Sequence, residues 1–127
     1  MHKSKLVTAV IDCQGDDLAG AARFWSSALG RKVAASDNPA KDKYVTLGSG
    51  KEELIVLLQK VPHPSRVHLD IESDDVEQEV KRLEALGAKR VEQIKTWWVI
   101  EAPTGHRFCV VKPQRDDTVP DDANEWS

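Results

Sequence analysis

One predicted strand carries the side chains best suited to chemistry. In the run Arg66–Glu72 apolar and polar residues alternate, so His68 and Asp70 share one face of the strand with Arg66 and Glu72. Imidazole exchanges protons near neutral pH, and His68 is the only histidine inside a predicted strand. We expect the apolar face to pack against a helix. His68 and Asp70 would then line a pocket, with Arg66 and Glu72 as solvated charges.

Three further residues are candidates for contact with a ligand. Trp97 and Trp98 are adjacent in a predicted strand, so their rings must point to opposite faces. One ring packs against a helix and the other faces a pocket or a partner subunit, and the sequence does not say which. Cys109 alternates with its neighbours so as to share the pocket face. A catalytic thiol would need a base beside it, such as His68, and the alternative is a small core residue.

A metal site would need about three protein ligands of suitable type. Of the four histidines, His2 is terminal, His63 lies between two prolines and His106 follows a turn glycine. The residues therefore favour neither a metal nor another cofactor. A divalent metal bound by His68, together with a loop histidine or a group from a second subunit, is the alternative.

These residues are positioned by a unit that occurs twice in the chain. A β-branched strand is followed by an amphipathic helix that ends at Gly30, and the same pattern returns with a helix that ends at Gly87, 57 residues later. Strand-like pieces follow each helix, at 32–35, 43–47 and 53–60, and at 89–94, 96–101 and 106–112. The pattern predicts an α+β fold of two tandem βαβββ modules, about 5–61 and 66–113, forming a cleft between curved mixed sheets.

The charge distribution separates a body, residues 1–113, from an acidic tail. The chain has 18 basic and 21 acidic side chains, and residues 114–127 hold five of the acids and one base. We expect this tail to be disordered or loosely docked, with Trp126 exposed; docking of Trp126 on the body or on a partner is the alternative. A body close to neutrality argues against nucleic acid, and no apolar run is long enough for a membrane helix. Two cysteines and no signal peptide indicate a cytoplasmic protein with free thiols.

The chain resembles glyoxalase-like proteins of the vicinal oxygen chelate superfamily, which includes glyoxalases, bleomycin-resistance proteins and dioxygenases. The resemblance is carried by Phe24-Trp25, Ala28-Leu29-Gly30, His68-Leu69-Asp70, the run 80–88 and the ending 97–111. It implies metal ligands in the first and fourth strands of each module. Those positions hold His68 and Cys109 in the second module, and in the first module one of Thr8, Ala9 or Val10 and one of Leu58 or Gln59.

Residues and resemblance together favour a protein that binds a small apolar or aromatic molecule in the cleft between the modules without metal. Whether it is an enzyme is left open. The alternative is a divalent-metal-dependent lyase, isomerase or dioxygenase that uses His68 as a ligand, and a regulatory module without any ligand is a third hypothesis. The resemblance also implies a homodimer.

Overall fold

The computed structural model describes residues 1–35, 37–48, 54–114 and 118–127. These parts of the chain form an α+β fold, as predicted, with strands paired in both parallel and antiparallel directions. The elements are β1 (His2–Gln14), α1 (Leu18–Leu29), β2 (Tyr44–Leu47), β3 (Ile55–Val61), β4 (Arg66–Ser73), α2 (Val76–Ala85), β5 (Lys89–Ile94), β6 (Trp97–Glu101), β7 (Arg107–Val111) and β8 (Asn124–Trp126). Neither helix in these ranges is long and apolar enough to span a membrane.

The chain divides into two compact units. The N-terminal unit is residues 8–68, and the C-terminal unit is residues 1–7 together with 69–127. Strands β1 and β4 therefore contribute residues to both units. Each unit contains one helix packed on strands, which agrees with the predicted pair of modules. The module boundaries and the cleft between the modules stay predictions.

In the N-terminal unit, α1 packs on strands in the order β2–β3–β1. Residues 8–14 of β1 run parallel to β3, and β2 runs antiparallel to β3. The helix begins after Asp17, whose carboxylate accepts a hydrogen bond from the Gly20 N–H over 2.8 Å. It ends at Gly30, where φ is 67° and only glycine is unstrained. The hydrophobic core between this helix and the strands consists of Leu18, Ala22, Val45, Leu47 and Leu58.

In the C-terminal unit, the strand order is β4–β7–β6–β5. β4 and β7 are parallel, and the pairs β6–β7 and β5–β6 are antiparallel. Helix α2 begins after Asp75, which accepts a hydrogen bond from the Gln78 N–H over 3.1 Å. The helix packs on a core of three fully buried residues, Val80, Ile100 and Val110.

Two of the strands predicted for the first module differ from the strands in the structure. The strand predicted at 32–35 is reduced to a single bridge between Val33 and Leu47, since no other residue of this segment pairs as a strand. The strand predicted at 53–60 begins at Glu53, outside the described residues; Leu54 is not part of a strand, and β3 covers residues 55–60 of the prediction.

The two faces of β4 are not covered as predicted. Glu72, expected to be a solvated charge, is 2% exposed, whereas Val67 and Leu69 are 60% and 43% exposed. The physical reason lies in the helix packing. The buried core beneath α2 consists of residues from α2, β6 and β7, and the core beneath α1 contains none from β4. Within the described ranges, the apolar face of β4 therefore lacks the helix that was expected to cover it.

The end of the chain also differs from the expectation of disorder. Residues 124–126 form β8, which pairs antiparallel with residues 2–4 of β1. Trp126 is half-buried, because its ring lies 3.8 Å from the Arg82 guanidinium and its Nε1 donates a hydrogen bond to Ser4 Oγ over 2.8 Å. A stacking partner and a ladder of backbone hydrogen bonds supply order that the tail's composition does not reveal.

Candidate functional site

In the N-terminal unit, alternate residues of β1 divide between two faces of the sheet. Ile11 and Cys13 pack with the core beneath α1. Thr8, Val10 and Asp12 therefore lie on the opposite face, where all three are buried. The residues of β3 in register with them are Ile55, Leu57 and Gln59. We call this surface the helix-free face of the N-terminal unit.

Asp12 is the centre of a charged cluster on this face. It is 1% exposed, and its Oδ2 lies 2.7 Å from Nδ1 of His68. The same oxygen accepts a hydrogen bond from Nε of Arg66 over 3.4 Å. Because an ionised carboxylate can only accept, Nδ1 of His68 carries the proton in this contact. A buried carboxylate needs such partners, so the cluster is held together by charge as well as by the sheet.

The second oxygen of Asp12 has a different environment. Oδ1 is buried and has no hydrogen-bond partner among the described residues. A buried acceptor left unsatisfied costs about 1–3 kcal/mol. Native structures usually explain such an atom by a bound water, ion or ligand group.

The thiol of Cys13, which follows Asp12 in the sequence, lies in an environment that disfavours its thiolate form. Burial raises the pKa of the Cys13 thiol, and the negative charge of Asp12 raises it further. The thiol therefore stays protonated near neutral pH, and the thiolate is the nucleophilic form. Cys13 is a packing residue beneath α1.

In the C-terminal unit, the packing shows which of the two adjacent tryptophans lies beneath α2. Trp98 packs against the core beneath α2, and the Arg90 guanidinium lies 4.8 Å from its ring. Trp97 therefore points to the face opposite α2, as alternation requires. Val99 and Cys109 are in register and share that face, because Ile100 and Phe108 pack on the helix side. This surface is the helix-free face of the C-terminal unit.

Two potential ligand atoms of a metal lie together on the helix-free face of the C-terminal unit. Asp70 in β4 is in register with Cys109 in β7, and their ligand atoms lie within 4.8 Å of each other. Both residues are half-buried. His68 precedes Asp70 by two residues in β4, so alternation turns the two side chains to the same side of that strand.

The residues that the sequence suggested as site residues lie in different environments in the structure. His68 belongs to a charged cluster, Asp70 and Cys109 are neighbours, Trp97 is on a helix-free face, and Trp98 is a core residue. Sequence reasoning missed Asp12 and set Arg66 aside as a surface charge. A signal for Asp12 was present, since it shares strand parity with Thr8 and Val10. It also precedes Asp70 by 58 residues, which is the spacing between the two helix starts.

Several solved structures share this fold. A hypothetical protein from Bacillus halodurans C-125 has a TM-score of 0.60 at 12% identity, covering 91% of this chain and 99% of that chain. A glyoxalase/bleomycin resistance protein/dioxygenase superfamily member from Vibrio splendidus 12B01 has a TM-score of 0.50 at 20% identity, covering 84% and 98%. A variant of homoprotocatechuate 2,3-dioxygenase from B. fuscum has a TM-score of 0.56 at 20% identity, covering 85% of this chain and 32% of that one. At such identities the likeness shows the fold alone.

The family follows from the sequence itself. Residues 8–111 match the glyoxalase-like domain family. Because this match covers most of the chain, the protein belongs to the glyoxalase-like domain family, and the resemblance stated from the motifs is confirmed. None of the curated proteins matches the sequence. A family with this fold hosts many chemistries, so the function has to be argued from the site.

Proposed function

We propose that this chain binds a small organic molecule on the helix-free face of its N-terminal unit, without a metal. The observation that carries the proposal is the nearly complete burial of Asp12 in contact with His68 and Arg66. A charged cluster of this kind contributes little to stability relative to apolar packing, so its placement on a face without a helix favours a role in recognition.

The cluster suggests the chemistry of the ligand. Arg66 is about half-exposed and directs one of its five N–H donors to Asp12. A carboxylate or other acidic group on the ligand would suit the guanidinium. A donor group that reached Oδ1 of Asp12 would satisfy that buried atom.

The absence of a metal is part of the proposal and rests on the donor types in the N-terminal unit. Of the positions that the resemblance implies there, Thr8, Val10 and Gln59 face away from α1, whereas Leu58 packs in the core beneath that helix and Ala9 shares the strand parity of Ile11. None of them is a histidine or a carboxylate. An amide and a hydroxyl are weak ligands for the divalent transition metals. The family's four-ligand arrangement therefore does not fit these residues.

The test is a screen of chelator-treated protein with a library of aromatic acids and matched neutral analogues, read by amide chemical shifts. We expect an acid to shift the amides around Asp12 and His68, with an affinity at least about tenfold lower in Arg66→Gln. Arg23→Gln, an exposed change on α1, is the matched control and should bind as the unmodified chain does. Failure of every acid to bind, or binding unaffected by Arg66→Gln and His68→Gln, would contradict the proposal.

The second candidate function is metal-dependent, and one observation favours it. Asp70 and Cys109 bring a carboxylate oxygen and a sulfur within 4.8 Å of each other, and His68 lies in the same strand as Asp70. Thiolate and carboxylate groups are typical zinc ligands. A metal held by Cys109 and Asp70 would supply Lewis-acid chemistry.

Elemental analysis and zinc titration separate the two candidate functions. A metal role requires about one equivalent of zinc, and loss of binding in both Cys109→Ser and Asp70→Asn. Cys13→Ser is the control, since that residue packs beneath α1. Substoichiometric zinc that is unchanged by Cys109→Ser and His68→Ala would remove the metal-dependent function and leave the metal-free one.

A further inference from the structure

A buried charge in the C-terminal unit ties together both ends of the chain. Glu79 in α2 is fully buried, and its Oε1 lies 2.8 Å from Nε2 of His2 in β1. Arg82, one turn along the helix, donates from Nε to Oε1 and from Nη2 to Oε2, each over 2.8 Å. The paired contacts fix the plane and position of the Arg82 guanidinium.

The side chain of Trp126, the last aromatic residue of the chain, stacks on the fixed Arg82 guanidinium. The Trp126 ring lies 3.8 Å from the centre of the Arg82 guanidinium, a distance that gives a cation–π contact. Its indole N–H donates to Ser4 Oγ over 2.8 Å, and the Ser4 hydroxyl in turn hydrogen-bonds to Glu79. Trp126 is therefore held through two residues that both depend on Glu79.

The rest of the terminal segment is held weakly. β8 has only three residues, and Asn124 and Glu125 are exposed. Its ion pairs, Lys3 with Glu125 and Lys5 with Asp122, lie at the surface, where such pairs contribute little to stability. The attachment of the segment is therefore concentrated at Trp126.

We propose that residues 118–127 form a strap that opens and closes as one unit, with Arg82, positioned by Glu79, as its latch. When the strap is closed, β8 covers the edge of residues 2–4 of β1. Opening it frees the backbone groups of that edge, and an open strand edge accepts another extended chain. The device thus controls whether the N-terminal end of β1 is available for strand pairing.

The decisive variant is Arg82→Lys, which keeps the positive charge but loses the planar group that both pairs with Glu79 and stacks on Trp126. Hydrogen exchange should show protection of residues 124–126 and 2–4 falling together by about ten- to hundredfold. The Trp126 resonance of 5-fluorotryptophan-labelled protein, assigned with Trp126→Phe, should move toward its solvent-exposed position. Arg23→Lys, on the exposed surface of α1, is the matched control.

The outcomes separate a latch from a merely structural residue. If β8 and the residues of α2 lose protection by the same factor, Arg82 stabilises the whole unit and the strap is not a separate device. If protection of 124–126 is unchanged in Arg82→Lys, the latch is refuted. Deletion of residues 124–127 provides a second measurement. It should lower the protection of residues 2–4 while leaving that of β6 and β7 unchanged, and an equal loss in those strands would also overturn the proposal.

Discussion

Replacement of the buried Glu79 by glutamine tests the charge network of the C-terminal unit. The carboxylate accepts three hydrogen bonds from His2 and Arg82, shared between its two oxygens. Glutamine keeps one oxygen and puts an N–H₂ donor where the second oxygen accepted from a donor. At least one charge-assisted hydrogen bond, about 1.5–3 kcal/mol, is then lost, and a buried donor is left unpaired. We expect destabilisation of about 3 kcal/mol in Glu79→Gln.

The pH dependence of this difference identifies its source. Burial alone raises the pKa of the Glu79 carboxyl, but hydrogen bonds from Arg82, His2 and Ser4 outweigh burial, so the pKa is lowered. A lowered carboxyl pKa contributes stability that is fully present above the unfolded-state pKa of about 4.3, and this stability is lost as the pH falls through the folded-state pKa. The difference between the unmodified chain and Glu79→Gln should therefore shrink below about pH 4.

Urea unfolding followed by circular dichroism measures both effects, with Glu92→Gln as the control. Glu92 is exposed in β5, and a surface change of this kind costs within about 0.5 kcal/mol. For a chain of this length, about 3 kcal/mol corresponds to a fall in Tm of about 10 °C. A loss below about 1 kcal/mol at neutral pH, or a difference that persists unchanged in acid, would refute the reasoning.

Three further predictions rest on packing and backbone geometry, and a fourth rests on the family resemblance. Leu58→Ala, at a fully buried position, should destabilise by about 2–5 kcal/mol in urea unfolding, whereas the exposed Leu29→Ala should change little. Gly30→Ala should cost about 1 kcal/mol in the same assay because φ is 67° there, and no effect would contradict that strain. In a Cys109→Ser background, Cys13 should react slowly with a thiol reagent at neutral pH and rapidly after unfolding, since its pKa is raised. The homodimer stays a prediction, and light scattering that gave a monomeric mass would refute it.

Much of the fold could be predicted because its signals are local. The left-handed glycine at the end of each helix and the opposite orientation of Trp97 and Trp98 follow from conformational preference and strand alternation. Alternation also placed His68 and Asp70 on one side of β4. It could not say which side of β4 is covered, because that depends on where α1 and α2 pack. Val67 is therefore exposed and Glu72 is buried, contrary to expectation.

Only part of the candidate site could be predicted from the sequence, for a related reason. His68 was singled out by its residue type, but its partner Asp12 lies 56 residues earlier in the chain. A contact across that distance is created by strand pairing, which a single sequence does not specify. The internal repeat, which relates Asp12 to Asp70, offered an indirect signal, but it gave no reason to expect a bond to His68.

The repeated strand and helix pattern, the family and the residue types available for chemistry all follow from local composition and spacing. Which of those residues have buried polar partners depends on tertiary packing. His2 and Glu79 are 77 residues apart, and Ser4 and Trp126 are 122 apart. Both pairs form because strand pairing and helix packing bring distant segments into contact, where burial makes a hydrogen-bonding partner necessary. The tail that composition marks as disordered is ordered at its end by the same contacts.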